Sequence, residues 1–567
     1  MKKKIIPVLV AVLLMLVIGG AAVGKMLYDK YSYSKEMADL VEYYQVSGEQ
    51  SAIIVQDEML EEKAIVREGV CYLDLASVHK YLNEIFYADM GEGLLLYTDA
   101  VDTVRVKFGA STYESTQGSA DAGYTIAYAE DETVYLALDF VKKYTNFSYD
   151  MYDYHIQIYT EWGTKSVADA AKDTAVRIKG GIKSPILVQL AKGDTVEILE
   201  QMENWSKVKT TDSVIGYVEN KHLADAYEVE EMPVTDYVAP EYTSIAMDGK
   251  VSLGWHSIGG VGGNDTLWSM ISEAKGMNVI APTWFSLNDN EGNFRSFASA
   301  DYVKTAQAAG LQVWGVLDNF NYGLENDVTI DEYAILSSTT TRQKLAEGIC
   351  KEAIRLGLDG INLDFEELPN GCGVHYAQFL RELSVLCRKN ELVLSIDNHV
   401  PFSYNDSLYR LDVQGQVADY VIIMGYDEHL SGGEIPGSVA SIDYVTFGID
   451  RALEMVPAAK VVNGLPFYTY VWKTNGADIE PANLTTENVA DFLKRIKAEP
   501  VWDEVTCQNY VEWTEGSKFC QVWLEDAESI MVKLNVMRAK EIGGVAVWCL
   551  GNGTPAVWEL IKAYVNS

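Results

Sequence analysis

The sequence predicts an α/β protein assembled from several pieces. The largest is a TIM (β/α)8 barrel with an α+β insertion. It is preceded by a small β module and an α+β repeat domain, behind an N-terminal transmembrane helix. Three observations predict this. Eight short apolar runs alternate with segments of 3.6-residue period over just over 300 residues from residue 251 onward, which is the unit count of a TIM barrel. Before them lies a stretch of short alternating strands broken by turn residues. The chain opens with Met1-Lys2-Lys3-Lys4 and an apolar run at 5–23. At 567 residues the chain is too long for one core, and about three or four domains are expected.

Composition narrows the function classes. Hydrophobic content of 48 % with 11 % aromatics describes a folded protein. A formal charge of −37 argues against nucleic acid as partner, because phosphates demand a basic surface. The seven cysteines show no CxxC spacing and no zinc pattern. Cys507 and Cys520 flank a candidate hairpin and could pair; buried free thiols are the alternative.

Taken in order, residues 1–30 read as cytoplasmic lysines followed by a signal-anchor. Nineteen residues of helix span about 28 Å, close to the thickness of a bilayer's hydrocarbon. The lysines mark the cytoplasmic side and leave the bulk of the chain extracytoplasmic. Small residues at Gly19-Gly20-Ala21-Ala22 keep a cleaved signal peptide, and hence secretion, as the alternative. Residues 51–160 contain a repeat. Cys71-Tyr72-Leu73-Asp74-Leu75 with Val78 and Lys80-Tyr81 matches Val134-Tyr135-Leu136-Ala137-Leu138 with Val141 and Lys143-Tyr144. Each copy runs on to a strand ending Tyr-Thr. A period of about sixty residues indicates two copies of an α+β unit. The pattern resembles the N-terminal domain of copper amine oxidases, found in many bacterial envelope proteins; with His79 and His155 as its histidines, no copper is expected.

Residues 174–226 alternate apolar and polar side chains in short strands. Ser184-Pro185, Gly193-Asp194, Trp205, Lys207-Val208 and Gly216-Tyr217-Val218 resemble a bacterial SH3-like domain, which implies wall peptide as a partner. Trp205 and Tyr217 serve either that purpose or the core of a small barrel. An acidic, proline-bearing linker is expected at 227–248. The catalytic piece at 249–567 follows, with candidate strands at 251–255, 278–283, 312–317, 360–365, 393–397, 420–424, 461–466 and 544–548. A helix and an aromatic hairpin interrupt it at about 470–528.

The fourth candidate strand carries the chemistry. In Asp359-Gly360-Ile361-Asn362-Leu363-Asp364-Phe365-Glu366 the polar groups alternate with Ile361, Leu363 and Phe365. Alternate residues of a strand share a face, about 7 Å apart, so Asn362, Asp364 and Glu366 line one side. Crowded carboxyls cannot all ionise freely, and one is expected to hold a proton at neutral pH. A general acid of a glycosidase needs such a proton.

The stretch resembles the Asp-Gly-x-Asp-x-Asp-x-Glu signature of glycoside hydrolase family 18, the family of chitinases, endo-N-acetylglucosaminidases and spore-cortex glucosaminidases. Asn362 departs from it, as in the spore-cortex branch. Later strand ends agree: Met424-Gly425-Tyr426-Asp427, Gly464-Leu465-Pro466-Phe467-Tyr468 and Ala546-Val547-Trp548. The resemblance implies retaining hydrolysis of β-1,4 bonds next to N-acetylglucosamine, with the substrate acetamide as nucleophile. Glu366, Asp364 and Tyr426 would be catalytic. Asp359, Asn362, Asp427, Trp548 and Tyr468 would bind substrate, Asp359 by supporting the carboxylate row from behind. An amide at 362 would let Asp364 ionise more easily than a second carboxylate there would. The implied partner is a glycan polymer containing N-acetylglucosamine, either peptidoglycan or chitin. Glycoprotein glycans, and a non-catalytic glycan-binding protein, stay open as alternatives. No cofactor or metal is expected; His256, His399 and His429 stand near candidate strand ends but far apart in sequence.

Overall fold

A computed structural model describes residues 2–233, 235, 237–320, 329–433 and 435–567. Met1, and Val234 and Asp236 of the expected linker, lie outside the described residues. The chain forms two compact units: Met1–Phe86 with Lys107–Tyr113 and Ala120–Ala239, and Tyr87–Val106 with Glu114–Ser119 and Pro240–Ser567.

The first unit opens with the helix Lys2–Tyr31, long and apolar enough over Ile6–Tyr31 to cross a membrane. The repeat follows as two strand–helix copies: Val70–Asp74 with Leu75–Tyr81, and Thr133–Ala137 with Leu138–Lys142. The two strands pair antiparallel, Leu73 opposite Leu136, within a seven-stranded sheet. Asp74 caps the first helix by accepting the Ser77 N–H at 2.8 Å, whereas Ala137 offers the second helix no such cap. Val78, Phe140 and Val141 are fully buried beneath them.

The next seven strands, Thr164–Asp169 to Tyr227–Glu230, make a second sheet. Its core is Val176, Leu187, Leu190, Val196, Val208 and Val218. Trp205 and Tyr217 stay half-buried outside that cluster, so aliphatic residues fill the small module. Gly216 is required by close approach, since a Cβ there would lie 2.6 Å from Val176 and 2.7 Å from the Arg177 carbonyl. One expectation is corrected here. The first four residues assigned to the linker form the edge strand Tyr227–Glu230, paired antiparallel with Thr164–Val167. Backbone pairing, with Lys165 bonded to Glu231, outweighs the acidic composition that suggested a linker.

The second unit holds a closed barrel of eight parallel strands. These are β1 (Val251–His256), β2 (Val279–Pro282), β3 (Gln312–Asp318), β4 (Gly360–Asp364), β5 (Val393–His399), β6 (Tyr420–Met424), β7 (Val461–Pro466) and β8 (Gly544–Trp548). Pairing of β8 with β1, Val251 opposite Gly544, closes it. The strands are buried on both faces because helices cover the outside and side chains fill the inside. The helix Thr339–Leu356 shows the sequence logic. Leu345, Ile349 and Ala353 are fully buried at helical spacing, and Gly357 ends it at φ +74°.

Tyr87–Asp89 and Leu94–Thr98, expected to close the first repeat copy, belong to this unit instead. The Asp89 carboxylate accepts the Thr339 N–H at 2.7 Å and Glu92 accepts the Thr340 N–H at 2.8 Å, satisfying bonds that a helix start leaves open. After β7 a five-stranded sheet and the helix Val489–Ile496 form the insertion, with its own core of Val471, Leu484, Phe492, Val511, Val522 and Leu524. Cys507 and Cys520 are free thiols.

Candidate active site

The C-terminal ends of β3 to β8 gather the polar residues. Asn362, in the middle of β4, is fully buried and spends all its hydrogen bonds inside the barrel. Its Oδ1 accepts Trp255 Nε1–H at 3.0 Å, and its Nδ2 donates to Ser395 Oγ at 3.0 Å and Asp397 Oδ1 at 2.8 Å. Asp364, two residues on, ends β4 opposite Asp318 of β3. Its Oδ1 is buried and without a hydrogen-bond partner among the described residues, as is Asp397 Oδ2.

Burial, then the charges of Asp397, Glu366 and Asp318, hold the Asp364 carboxyl well above the usual carboxylate range. Burial pushes Asp397 up to about 8 against the opposing bond from Asn362, and pushes Asp318 up to about 6. The amide at 362 therefore does not leave Asp364 without a second carboxyl. β5 runs in register with β4, Asn362 opposite Ser395, so the next same-face residue, Asp397, supplies that carboxyl from the neighbouring strand.

Glu366 follows the strand end. Asn319 clamps its main chain, accepting the Glu366 N–H at 2.9 Å and donating to its carbonyl at 2.9 Å. The Glu366 Oε2 lies 3.0 Å from His399 Nε2 at the end of β5. Burial lowers the His399 imidazole, but Glu366 above all, with Asp427 and Glu367, raises it on balance. After β6, Tyr426 is 7 % exposed, and burial moves its hydroxyl far above the ordinary tyrosine value. Asp427 accepts a hydrogen bond from Tyr468 after β7. Burial raises the Asp427 carboxyl while that bond holds it back. The Tyr426 and Tyr468 rings meet edge to face at 6.3 Å. Trp548 ends β8, partly buried, with its ring 6.3 Å from Trp255.

Glu366, Asp364, Tyr426, Asp427, Tyr468 and Trp548 thus share one end of the barrel. Two other expectations are corrected. Asp359 precedes β4 and lies at its opposite end, where its carboxylate accepts Val313 N–H at 2.8 Å and Gln307 Nε2–H at 3.0 Å. It joins strands rather than supporting the row. Asn362 is locked into the barrel interior by Trp255, Ser395 and Asp397, with no exposed atom to offer a substrate. Asp318, Asn319, Asp397 and His399 had no assigned role in the sequence. The alternation that singled out β4 recurs in Ser395, Asp397 and His399, and applying it to β5 would have found two of them.

Parts of this chain are similar to known proteins. Residues 325–553 match the model of the glycosyl hydrolases family 18, and residues 172–224 match the bacterial SH3 domain. The chain is 26 % identical over 299 residues to the uncharacterized glycosylase YvbX of Bacillus subtilis (strain 168), covering 50 % of this chain and 84 % of that one. It is 30 % identical over 257 residues to the cortical fragment-lytic enzyme of the same organism, covering 43 % of this chain and 58 % of that protein's length. In fold it resembles the chitinase from Chromobacterium violaceum ATCC 12472, with a TM-score of 0.50 at 24 % identity over 56 % of this chain and 99 % of the other. Residues 325–553 of this chain are thus similar to the glycosyl hydrolases family 18 and residues 172–224 to the bacterial SH3 domain, and the similar proteins include a glycosylase and a cortical fragment-lytic enzyme.

Proposed function

We propose that this chain is a retaining glycosidase that cleaves β-1,4 bonds next to N-acetylglucosamine in bacterial peptidoglycan. The observation that carries the proposal is the convergence of Asp364, Glu366 and Tyr426 at one mouth of the barrel, with Trp548 beside them. Glu366 protonates the glycosidic oxygen and later takes a proton from water. Asp364 accepts the acetamide N–H and favours the oxazolinium ion as positive charge develops. Tyr426 donates to the acetamide oxygen and keeps it aimed at the anomeric carbon. Trp548 is an apolar floor for that sugar, and Asp427, held by Tyr468, contacts the ring.

The wall substrate is supported by the cortical fragment-lytic relatives and by the SH3 domain. Anchoring by the N-terminal helix is supported by the length and apolarity of Ile6–Tyr31. The likeness of residues 51–160 to the amine oxidase N-terminal domain rests on its two strand–helix copies.

The test is reducing-end release from purified peptidoglycan, with chitin oligomers in parallel, for the full chain and its Glu366→Gln variant, followed by mass spectrometry. Glu366-dependent fragments ending in N-acetylglucosamine are expected from peptidoglycan. Cleavage of chitin alone would make this a chitinase, and binding without turnover on both would make it a glycan-binding protein.

A further inference from the structure

His399 has no part in the chemistry just described, yet its ring lies against the carboxyl of Glu366. Its ring nitrogen Nε2 is 3.0 Å from Glu366 Oε2. It ends β5 two residues beyond Asp397, so strand alternation carries it on the face that Asp397 shares. Glu366 stands two residues beyond Asp364. The pair thus lies just beyond the β4–β5 ladder, which sets Asn362 opposite Ser395 and ends with Leu363 opposite Ile396. Glu366 is 23 % exposed and His399 is 43 % exposed, so the imidazole reaches solvent more freely than the carboxyl it touches.

Resting on the glycosidase assignment above, we propose that His399 is a positioning residue and proton store for Glu366. The imidazolium Nε2–H donates to the carboxylate and passes that proton to it before the glycosidic oxygen is protonated. In this step the N–H bond breaks and an O–H bond forms. The imidazolium becomes neutral as the carboxylate becomes a carboxylic acid. Glu366 then gives the proton to the leaving oxygen and recovers one from the attacking water. Return across the same hydrogen bond restores the imidazolium, so the cycle consumes no proton.

The charged surroundings favour this arrangement. Asp318 of β3, Asp364 of β4, Asp397 of β5, and Tyr409 face Glu366. Asp427 and Glu367 face His399 along with Glu366. Asp427 already accepts from Tyr468. A cation beside Glu366, Asp427 and Glu367 is stabilised, and an imidazole is the side chain that can both hold that proton and release it near neutral pH.

One proton on the pair suffices for activity, so the basic limb of kcat/KM belongs to the pair. His399→Gln keeps the hydrogen-bonding side chain and loses the proton. Its basic limb should move down by about one pH unit or more, a fall of roughly tenfold at the pH where the wild type begins to decline, while acid-side values stay close to wild type. Independently, histidine C2 hydrogen–deuterium exchange on the full chain, read by mass spectrometry, gives the titration midpoint of His399. That midpoint should drop in Glu366→Gln, which needs no substrate and no His399 variant to fold. An unchanged midpoint, or a His399→Gln profile scaled down with both limbs in place, would overturn the proposal and leave the glycosidase assignment standing. A shifted midpoint with no turnover of any N-acetylglucosamine polymer would overturn the glycosidase assignment, and the proton-store role with it.

Discussion

Replacing Asn362 by Asp probes the barrel interior most directly. In the wild type, Asn362 Nδ2 donates to Asp397 Oδ1 at 2.8 Å. In Asn362→Asp two carboxyl oxygens meet at that separation. If both ionised, their repulsion would be about 6 kcal/mol at an effective dielectric of about 20, or roughly four pH units. The new pair therefore keeps one proton, restoring an O–H···O bond, and carries one negative charge. The wild-type site carries little charge there below neutrality, because Asp397 is pushed up to about 8. The added charge lies about 7 Å from Asp364 along the strand. It opposes ionisation of Asp364 by roughly 2 kcal/mol, so the acid limb of kcat/KM should rise by about one to two pH units. The assay is kcat/KM from pH 4 to 9 on soluble glycan oligomers, wild type against variant. Superimposable profiles, or a shift to lower pH, would refute the reasoning.

Further expectations concern the scaffold and the site's edges. Glu525 and Lys533 are almost wholly buried, with Lys533 Nζ 2.7 Å from both carboxylate oxygens; Lys533→Met strands an anion and should cost about 3–5 kcal/mol in denaturant unfolding, more than Glu525→Leu/Lys533→Met together. His256 is 2 % exposed and bonded to Tyr302 and Thr266, and burial lowers it to about 4. Because its folded value lies below the unfolded one, its contribution is full above about pH 6.5 and is lost as pH falls toward 4, by about 3 kcal/mol; His256→Gln should flatten the dependence of unfolding free energy on pH in that window. Tyr468→Phe removes the hydroxyl that holds Asp427; a loss of about 1.5–3 kcal/mol predicts a ten- to hundredfold lower kcat/KM, and unchanged kinetics would show that Asp427 needs no such support.

Periodicity made the barrel legible in the sequence. Eight apolar runs alternated with helical repeats, and the strands Val251–His256 to Gly544–Trp548 stand where those runs are. A parallel strand covered on both faces reads as a mostly apolar run, so its position is written in local composition. The row at Asp364 and Glu366 was equally local, because alternation along one strand is a property of neighbours. Pairing between distant segments was not local. That Asp397 faces Asn362, that His399 touches Glu366 and that Asn319 grips its main chain follow from the parallel register of β3, β4 and β5. Tyr227–Glu230 became a strand because Thr164–Val167 offered it an edge, and the hairpin from Tyr87 left its repeat because Thr339–Leu356 offered unpaired N–H groups. The sequence by itself determined which residues could carry acid chemistry. The tertiary structure decided which of them couple to one another, because electrostatic coupling depends on through-space distance and burial, and those are set by the closure of the barrel rather than by order along the chain.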